Sequence, residues 1–192
     1  LRLVPDLKVP GFQLRAAVAR PEAAAFLDVY VMLPDGSRQA PATLPITGGR
    51  VAGTVTVREV RLWCPESPQL YDLELVLRTA SGAELDRVRT YAGLREVTVA
   101  GDQVLLNGRP LYQRLVLVQG YYPGGVYTPA SDAGWRRDVE LVKEAGFNSL
   151  RMHQKLEAAR FLYWCDRLGV LVWAELPSAL WPGAESRRQV RA

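Results

Sequence analysis

The chain has 192 residues, 48% of them hydrophobic, and a net charge of +4 from 24 basic and 20 acidic side chains. That is enough apolar material for one large globular domain or two small ones, and no run approaches the ~18 consecutive apolar residues of a membrane span. The basic residues, 21 Arg and 3 Lys, are scattered rather than striped, which argues against a nucleic-acid-binding surface.

Two cysteines and a single His leave no room for a zinc site or a Cys–His nucleophile pair. Cys64, in a Trp-Cys-Pro turn, and Cys165, beside Trp164, read as buried, inert thiols compatible with a reducing compartment. Localisation is open, with the cytoplasm favoured over secretion. The first residue is not Met and no signal peptide leads the chain, the pattern of a segment of something longer.

In chain order, residues 12–18 alternate, with Phe12, Leu14, Ala16 and Val18 on one face. Residues 27–33 repeat the alternation and end at the turn signal Pro34-Asp35-Gly36-Ser37. Residues 42–47 run into Gly48-Gly49, and residues 51–57 follow. A longer strand starts at Tyr71, with Leu73, Leu75 and Leu77 on its face and Asp72, Glu74 and Arg78 opposite; Ser81-Gly82 then turns the chain into residues 84–91. With residues 96–99 this makes about seven closely spaced strands, which predicts an all-β, immunoglobulin-like sandwich over residues 1–100. No antibody-type cysteine pair is available, so its core must hold by apolar packing alone. Trp63, Pro65, Pro68 and Tyr71 predict a rigid crossover that packs an aromatic pair; the other reading of these aromatics is a face for stacking a sugar.

Residues 101–112 join this half to the next. Gly101-Asp102 is a turn, and Asn107-Gly108 predicts the tip of a tight hairpin. From Tyr112 the period changes. Leu115 to Val118 is an apolar strand, Ser131 can cap a helix whose amphipathic body covers 135–145, and Gly146 ends it. Residues 147–151 form a second strand. Residues 158–168 carry Phe161, Leu162, Cys165 and Leu168 at three- and four-residue spacing, Gly169 closes that helix, and residues 170–174 are a third, wholly apolar strand. Strand–helix–strand–helix–strand predicts a parallel sheet, and such continuous apolar runs suit strands covered on both faces. Gln119, Arg151, His153 and Glu175 fall at or just beyond the carboxyl ends of the strands, the rim on which a (β/α)₈ barrel carries its chemistry.

Four stretches in order carry a resemblance. They are Leu62-Trp63-Cys64-Pro65-Glu66-Ser67-Pro68-Gln69-Leu70-Tyr71, Gly93-Leu94-Arg95, Leu106-Asn107-Gly108-Arg109-Pro110, and Phe147-Asn148-Ser149-Leu150-Arg151 followed by Cys165-Asp166-Arg167-Leu168-Gly169 and the strand ending at Glu175. Together they resemble glycoside hydrolase family 2, the group of β-galactosidases, β-glucuronidases and β-mannosidases. The resemblance implies that residues 101–192 open a TIM (β/α)₈ barrel with its first three units, and that the parent hydrolyses β-glycosides with retention, with no cofactor or metal. In the family the two catalytic carboxylates follow barrel strands four and seven. Both are therefore expected beyond Ala192, and this segment alone is expected to hydrolyse nothing.

For the substrate side, the resemblance singles out Asn148, Arg151, Gln154 and Glu175. A guanidinium at Arg151 suits bidentate contact with a carboxylate or a sugar, and the other reading is an Arg paired with Glu175 purely as scaffold. Glu175 matches an acidic position that supports the pocket without doing the chemistry. The chain departs from the family at two places. Gln154, not His153, stands where the family has its His, and the family's G-x-N-x-H-E becomes Val118-Gln119-Gly120-Tyr121-Tyr122-Pro123, so no sugar specificity is implied. The expected partner is a carbohydrate substrate, not nucleic acid or membrane. The open barrel edge is expected to be covered, by self-association or by residues 180–192 folding back. The competing reading is a non-catalytic carbohydrate-binding or interaction module on the same sandwich.

Overall fold

The computed structural model describes residues 1–33, 35–178, 183 and 188. They fall into two compact units, Leu1–Leu111 and Tyr112–Ala192.

The first unit is built from β1 (Arg2–Asp6), β2 (Gly11–Ala17), β3 (Phe26–Val31), β4 (Ala42–Thr47), β5 (Arg50–Thr56), β6 (Tyr71–Arg78) and β7 (Glu84–Ala92). These seven strands pair antiparallel in the order β1-β2-β5-β4-β3-β6-β7. The order folds over at β4. Residues Ala42, Thr43, Leu44 and Pro45 pair with β3, whereas Ile46 and Thr47 pair with β5. Pro45 has no N–H to give and a fixed φ, so the ladder is interrupted there and the strand changes partner. The two halves share one core: Phe12 and Leu14 from β2 and Val51 and Val55 from β5 pack with Val29 and Val31 from β3 and Leu73 and Leu75 from β6. Tyr71 lies in the same core, its ring edge-on to Phe12 at 5.7 Å between centroids. Trp63 is fully buried beneath the Arg95 guanidinium, so packing, not an open sugar-stacking face, accounts for the 61–71 crossover.

The outward face of β3 and β6 is less solvated than strand alternation suggests. Asp28 is buried and accepts from Arg78 Nε at 2.8 Å and Thr43 Oγ1 at 2.6 Å. Glu74 is buried under Arg38, Arg87 and Arg89. Cross-strand neighbours of opposite charge cover one another here.

Three expectations change. The strand of residues 96–99 does not complete the sandwich; the extra sandwich strand is β1, whose Pro5 hides its alternation but is tolerated at a sheet edge. Instead β8 (Val97–Ala100) forms a separate three-stranded antiparallel sheet with β9 (Gln103–Leu106) and β10 (Arg109–Pro110). Gly101-Asp102 is the tip of the β8–β9 hairpin rather than a domain divide, and the compact units part between Leu111 and Tyr112. Asn107 fastens this small sheet, donating from Nδ2 to the Trp63 carbonyl at 3.0 Å and accepting the Glu96 N–H on Oδ1 at 3.0 Å. Cys165 is buried as expected but Cys64 is only half-buried, and neither forms a disulfide.

The second unit contains β11 (Leu115–Val118), α1 (Asp132–Glu144), β12 (Ser149–Met152), α2 (Ala159–Leu168) and β13 (Leu171–Ala174). The strands are adjacent and parallel, in the order β11-β12-β13. α1 begins at Asp132, whose charge favours the helix amino end, while the Ser131 side chain makes no cap bond. Gly169 ends α2 in the left-handed conformation at φ 78°, returning its N–H to the Cys165 carbonyl at 3.0 Å. Val139, Val142, Phe161 and Cys165 of the helices pack on Leu150 and Met152 of the sheet. Among the described residues the helices cover one face only. On the other, Leu117, Arg151 and Trp173 stand side by side in register, and Leu117 and Trp173 are exposed. Residues 180–182, 184–187 and 189–192, the tail expected to fold over that edge, lie outside the described residues.

Candidate functional site

Arg151 and Glu175 meet at the carboxyl ends of β12 and β13. Arg151 Nε hydrogen-bonds Glu175 Oε1, and Glu175 Oε2 accepts the Gln154 N–H at 3.2 Å. That second bond depends on Gln154 adopting the left-handed φ of 51°, which is uncommon for a residue with a Cβ. The Arg151 hydrogen bond, followed by the Gln154 N–H, holds the Glu175 carboxyl below its ordinary range, so it is an anion at neutral pH. Three of the four residues singled out from the sequence are thus brought together.

Asn148 is not among them. It precedes β12, at the amino end of the sheet, and its buried amide is spent on backbone: Nδ2 donates to the Tyr112 carbonyl at 2.9 Å and Oδ1 accepts the Arg114 N–H at 2.9 Å. A strand rises about 3.3 Å per residue, so the strand itself separates Asn148 from the rim. It ties the entry of β11 to β12, at the end of the sheet away from Arg151 and Glu175.

Next to the rim lies a cleft of about 700 Å³, lined in part by Gln119, Tyr121, Tyr127, His153, Gln154 and Lys155. The β11–α1 loop makes its aromatic wall. Tyr122 and Val126 pair as a small antiparallel bridge, which sets Tyr121 and Tyr127 on its two flanks. Their ring centroids are 5.1 Å apart, tilted 38°, with the hydroxyls at 3.2 Å. Val126 carries a φ of 54°, a strained value for a β-branched residue. Lys155 anchors this loop: Nζ donates to the Tyr127 carbonyl at 2.8 Å and the Gly120 carbonyl at 3.2 Å, and pairs with Glu157 Oε2 at 2.7 Å. Glu157 is almost wholly enclosed, so the pair sits in a low-dielectric pocket where each charge needs the other. Gly120 is required twice over, by its φ of +70° and because a Cβ would come within 2.7 Å of Lys155 Nζ.

The sequence marks Tyr121 only within a departure from the family pattern and singles out none of Tyr127, Lys155 and Glu157 as site residues. The available signal was an aromatic on each side of Gly124-Gly125, a hairpin turn with matching flanks. Among the described residues no group of acidic, His and Cys side chains could hold a metal. No described helix is long and apolar enough to cross a membrane.

Residues 30–95 match the family model "Glycosyl hydrolases family 2". A β-galactosidase of Photobacterium profundum is 34% identical over 124 residues, which are 64% of this chain and 12% of that protein. One from Lactococcus lactis is 32% identical over 115 residues, 60% of this chain and 11% of that protein. The chain therefore spans about an eighth or less of the relatives it matches. Among solved structures, a Parabacteroides merdae β-glucuronidase superposes with a TM-score of 0.82 over 99% of this chain and 25% of its own, at 23% identity, a likeness of fold. A family 2 β-galacturonidase of Eisenbergiella tayi reaches a TM-score of 0.74 over 92% of this chain and 32% of its own, at 27% identity.

Proposed function

We propose that this chain is a segment of the glycosyl hydrolase family 2 kind, and that its second unit builds part of the sugar-binding rim of an enzyme that hydrolyses β-glycosides. The observation that carries the reading is the Arg151–Glu175–Gln154 constellation at the ends of two adjacent parallel strands. In this reading β11, β12 and β13 are the opening strands of a (β/α)₈ barrel, and their uncovered face, with Leu117, Arg151 and Trp173, is the barrel's interior. The unpaired edges of β11 and β13 are then completed by further barrel strands, or covered by a second copy of the chain.

Glu175, held as an anion, orients the guanidinium of Arg151, and the donors that Glu175 leaves unused face the sugar. Neither residue transfers a proton. Retaining hydrolysis needs a separate pair of carboxyl groups about 5–5.5 Å apart. Among the described residues, the carboxylates following the strands each grip a cation of this chain: Asp132 holds Arg160, Glu157 holds Lys155 and Glu175 holds Arg151. The catalytic pair is therefore assigned to other parts of the enzyme.

The test is Arg151→Gln in an enzyme that carries this segment. The expected result is a loss of kcat/KM on aryl β-glycosides of about a hundredfold, within the range for removal of an oriented charged contact. Circular dichroism of the variant checks that the fold is kept, so that the loss is read as a substrate-side effect. An unchanged rate would leave Arg151 as scaffold.

A further inference from the structure

The loop between β11 and α1 presents a feature that the rim reading does not use. Tyr121 and Tyr127 are 61% and 51% exposed although they touch each other, and both border the cleft. Large aromatics left in water beside a concave wall lose the burial that normally justifies them. The fold also spends effort to hold them. The strained Val126 lies between them, and Lys155, paired with the enclosed Glu157, donates to the carbonyls of Gly120 and Tyr127 on either side. Strain and enclosed charge of this kind persist where a fixed geometry is needed.

Resting on the carbohydrate reading above, we propose that Tyr121 and Tyr127 form a platform for a neutral pyranose ring, with Gln119, His153 and Gln154 bonding its hydroxyls. The C–H face of a β-pyranose is apolar and flat enough to lie on a phenol ring, while its hydroxyl edge needs donors and acceptors. The cleft offers both. Gln119 and His153 stand 3.4 Å apart on its wall, between Nε2 and Nδ1, and each brings a donor or an acceptor.

The preference for a neutral sugar follows from Lys155. It is the sole Lys or Arg among the described residues lining the cleft, and its ammonium is already engaged, donating to the Gly120 and Tyr127 carbonyls and ion-paired with Glu157. A uronate carboxylate seated on the tyrosines would lose water without gaining a cation from the cleft lining, which does not include Arg151, itself paired with Glu175.

The experiment titrates the 192-residue chain with methyl β-galactoside and with methyl β-glucuronide, following ligand signals by saturation-transfer NMR. The galactoside is expected to bind more tightly than the glucuronide. Tyr121→Ala and Tyr127→Ala should each weaken it roughly tenfold, and Tyr127→Phe should stay within about twofold, because the ring face carries the contact. Both tyrosines are exposed, so the variants keep the fold, which circular dichroism checks. If both alanine variants bind as the parent does while Arg151→Gln binds less, the platform is rejected and the rim reading stands. Equal or tighter binding of the glucuronide rejects the neutral preference. If the unaltered chain binds neither sugar, the rim reading fails and takes the platform with it.

Discussion

The Tyr71 hydroxyl donates to the Glu59 carbonyl at 2.7 Å and accepts the Arg61 N–H at 2.6 Å. A tyrosine at the start of a sandwich strand, here bonded back to backbone 10 and 12 residues upstream, resembles the tyrosine corner of immunoglobulin-type sandwiches. Tyr71 is almost fully buried, so Tyr71→Phe would leave two backbone groups without their partner. The expected cost is about 1–3 kcal/mol, read as a lower urea midpoint with an unchanged slope. An unaltered midpoint would show that water replaces the hydroxyl.

Val126 tests the strain in the β11–α1 loop. At φ 54° a glycine is at ease where valine is not. Val126→Gly should stabilise the chain by about 1 kcal/mol, the relieved strain exceeding the entropy that glycine adds to the unfolded chain. Gly120→Ala should act oppositely, because its Cβ would press on Lys155 Nζ and on Glu157 Oε2. Thermal unfolding of the two variants side by side measures both signs, and a stabilised Gly120→Ala would contradict the anchor.

Acid should loosen the second unit. The Arg151 hydrogen bond lowers the Glu175 pKa below its ordinary 4.5, and the Arg160 hydrogen bond lowers that of Asp132 below its ordinary 3.8. A group whose pKa is depressed by folding contributes its full stability above the unfolded-state value and loses it as pH falls through the folded value. The unfolding midpoint should therefore hold from neutrality to about pH 5 and decline below that, where the unfolded chain takes up protons first. In Glu175→Gln the decline should be shallower. An equally steep decline would mean that the Arg151–Glu175 contact contributes little in solution.

The chain on its own should not turn over aryl β-glycosides. Glu175 is committed to Arg151, and the enclosed Glu157 to Lys155. Positioning two carboxyl groups across one glycosidic bond is what such catalysis requires. Turnover that survives repurification and disappears in Glu175→Gln would place a working pair inside this chain.

Much of the fold was legible because it depends on near neighbours. Asn107-Gly108 forms the two-residue hairpin tip, with φ of 53° and 74°, since a left-handed pair is what that turn demands. Gly146 and Gly169 end their helices for the same local reason. The period-two runs of the first half and the apolar runs of the second likewise marked their strands, because side-chain spacing is fixed by backbone geometry. For Arg151 and Glu175, two parallel strands with level carboxyl ends sufficed to predict a meeting across 24 residues of sequence.

Other features were decided only by the assembled chain. Residues 96–99 carry the same alternation as a sandwich strand, yet pair with β9, because Asn107 fastens the hairpin to the Trp63 carbonyl 44 residues earlier. Asn148 has a polar amide that would serve a sugar equally well, but its position before the strand hands that amide to Tyr112 and Arg114. The tyrosine wall depends on a lysine 28 residues beyond Tyr127, whose ammonium meets two carbonyls and a carboxylate only once β11 and β12 lie side by side. An isolated side chain's type states which bonds it can make, whereas the choice among equally able partners falls to whichever groups the packing brings within about 3 Å and removes from water.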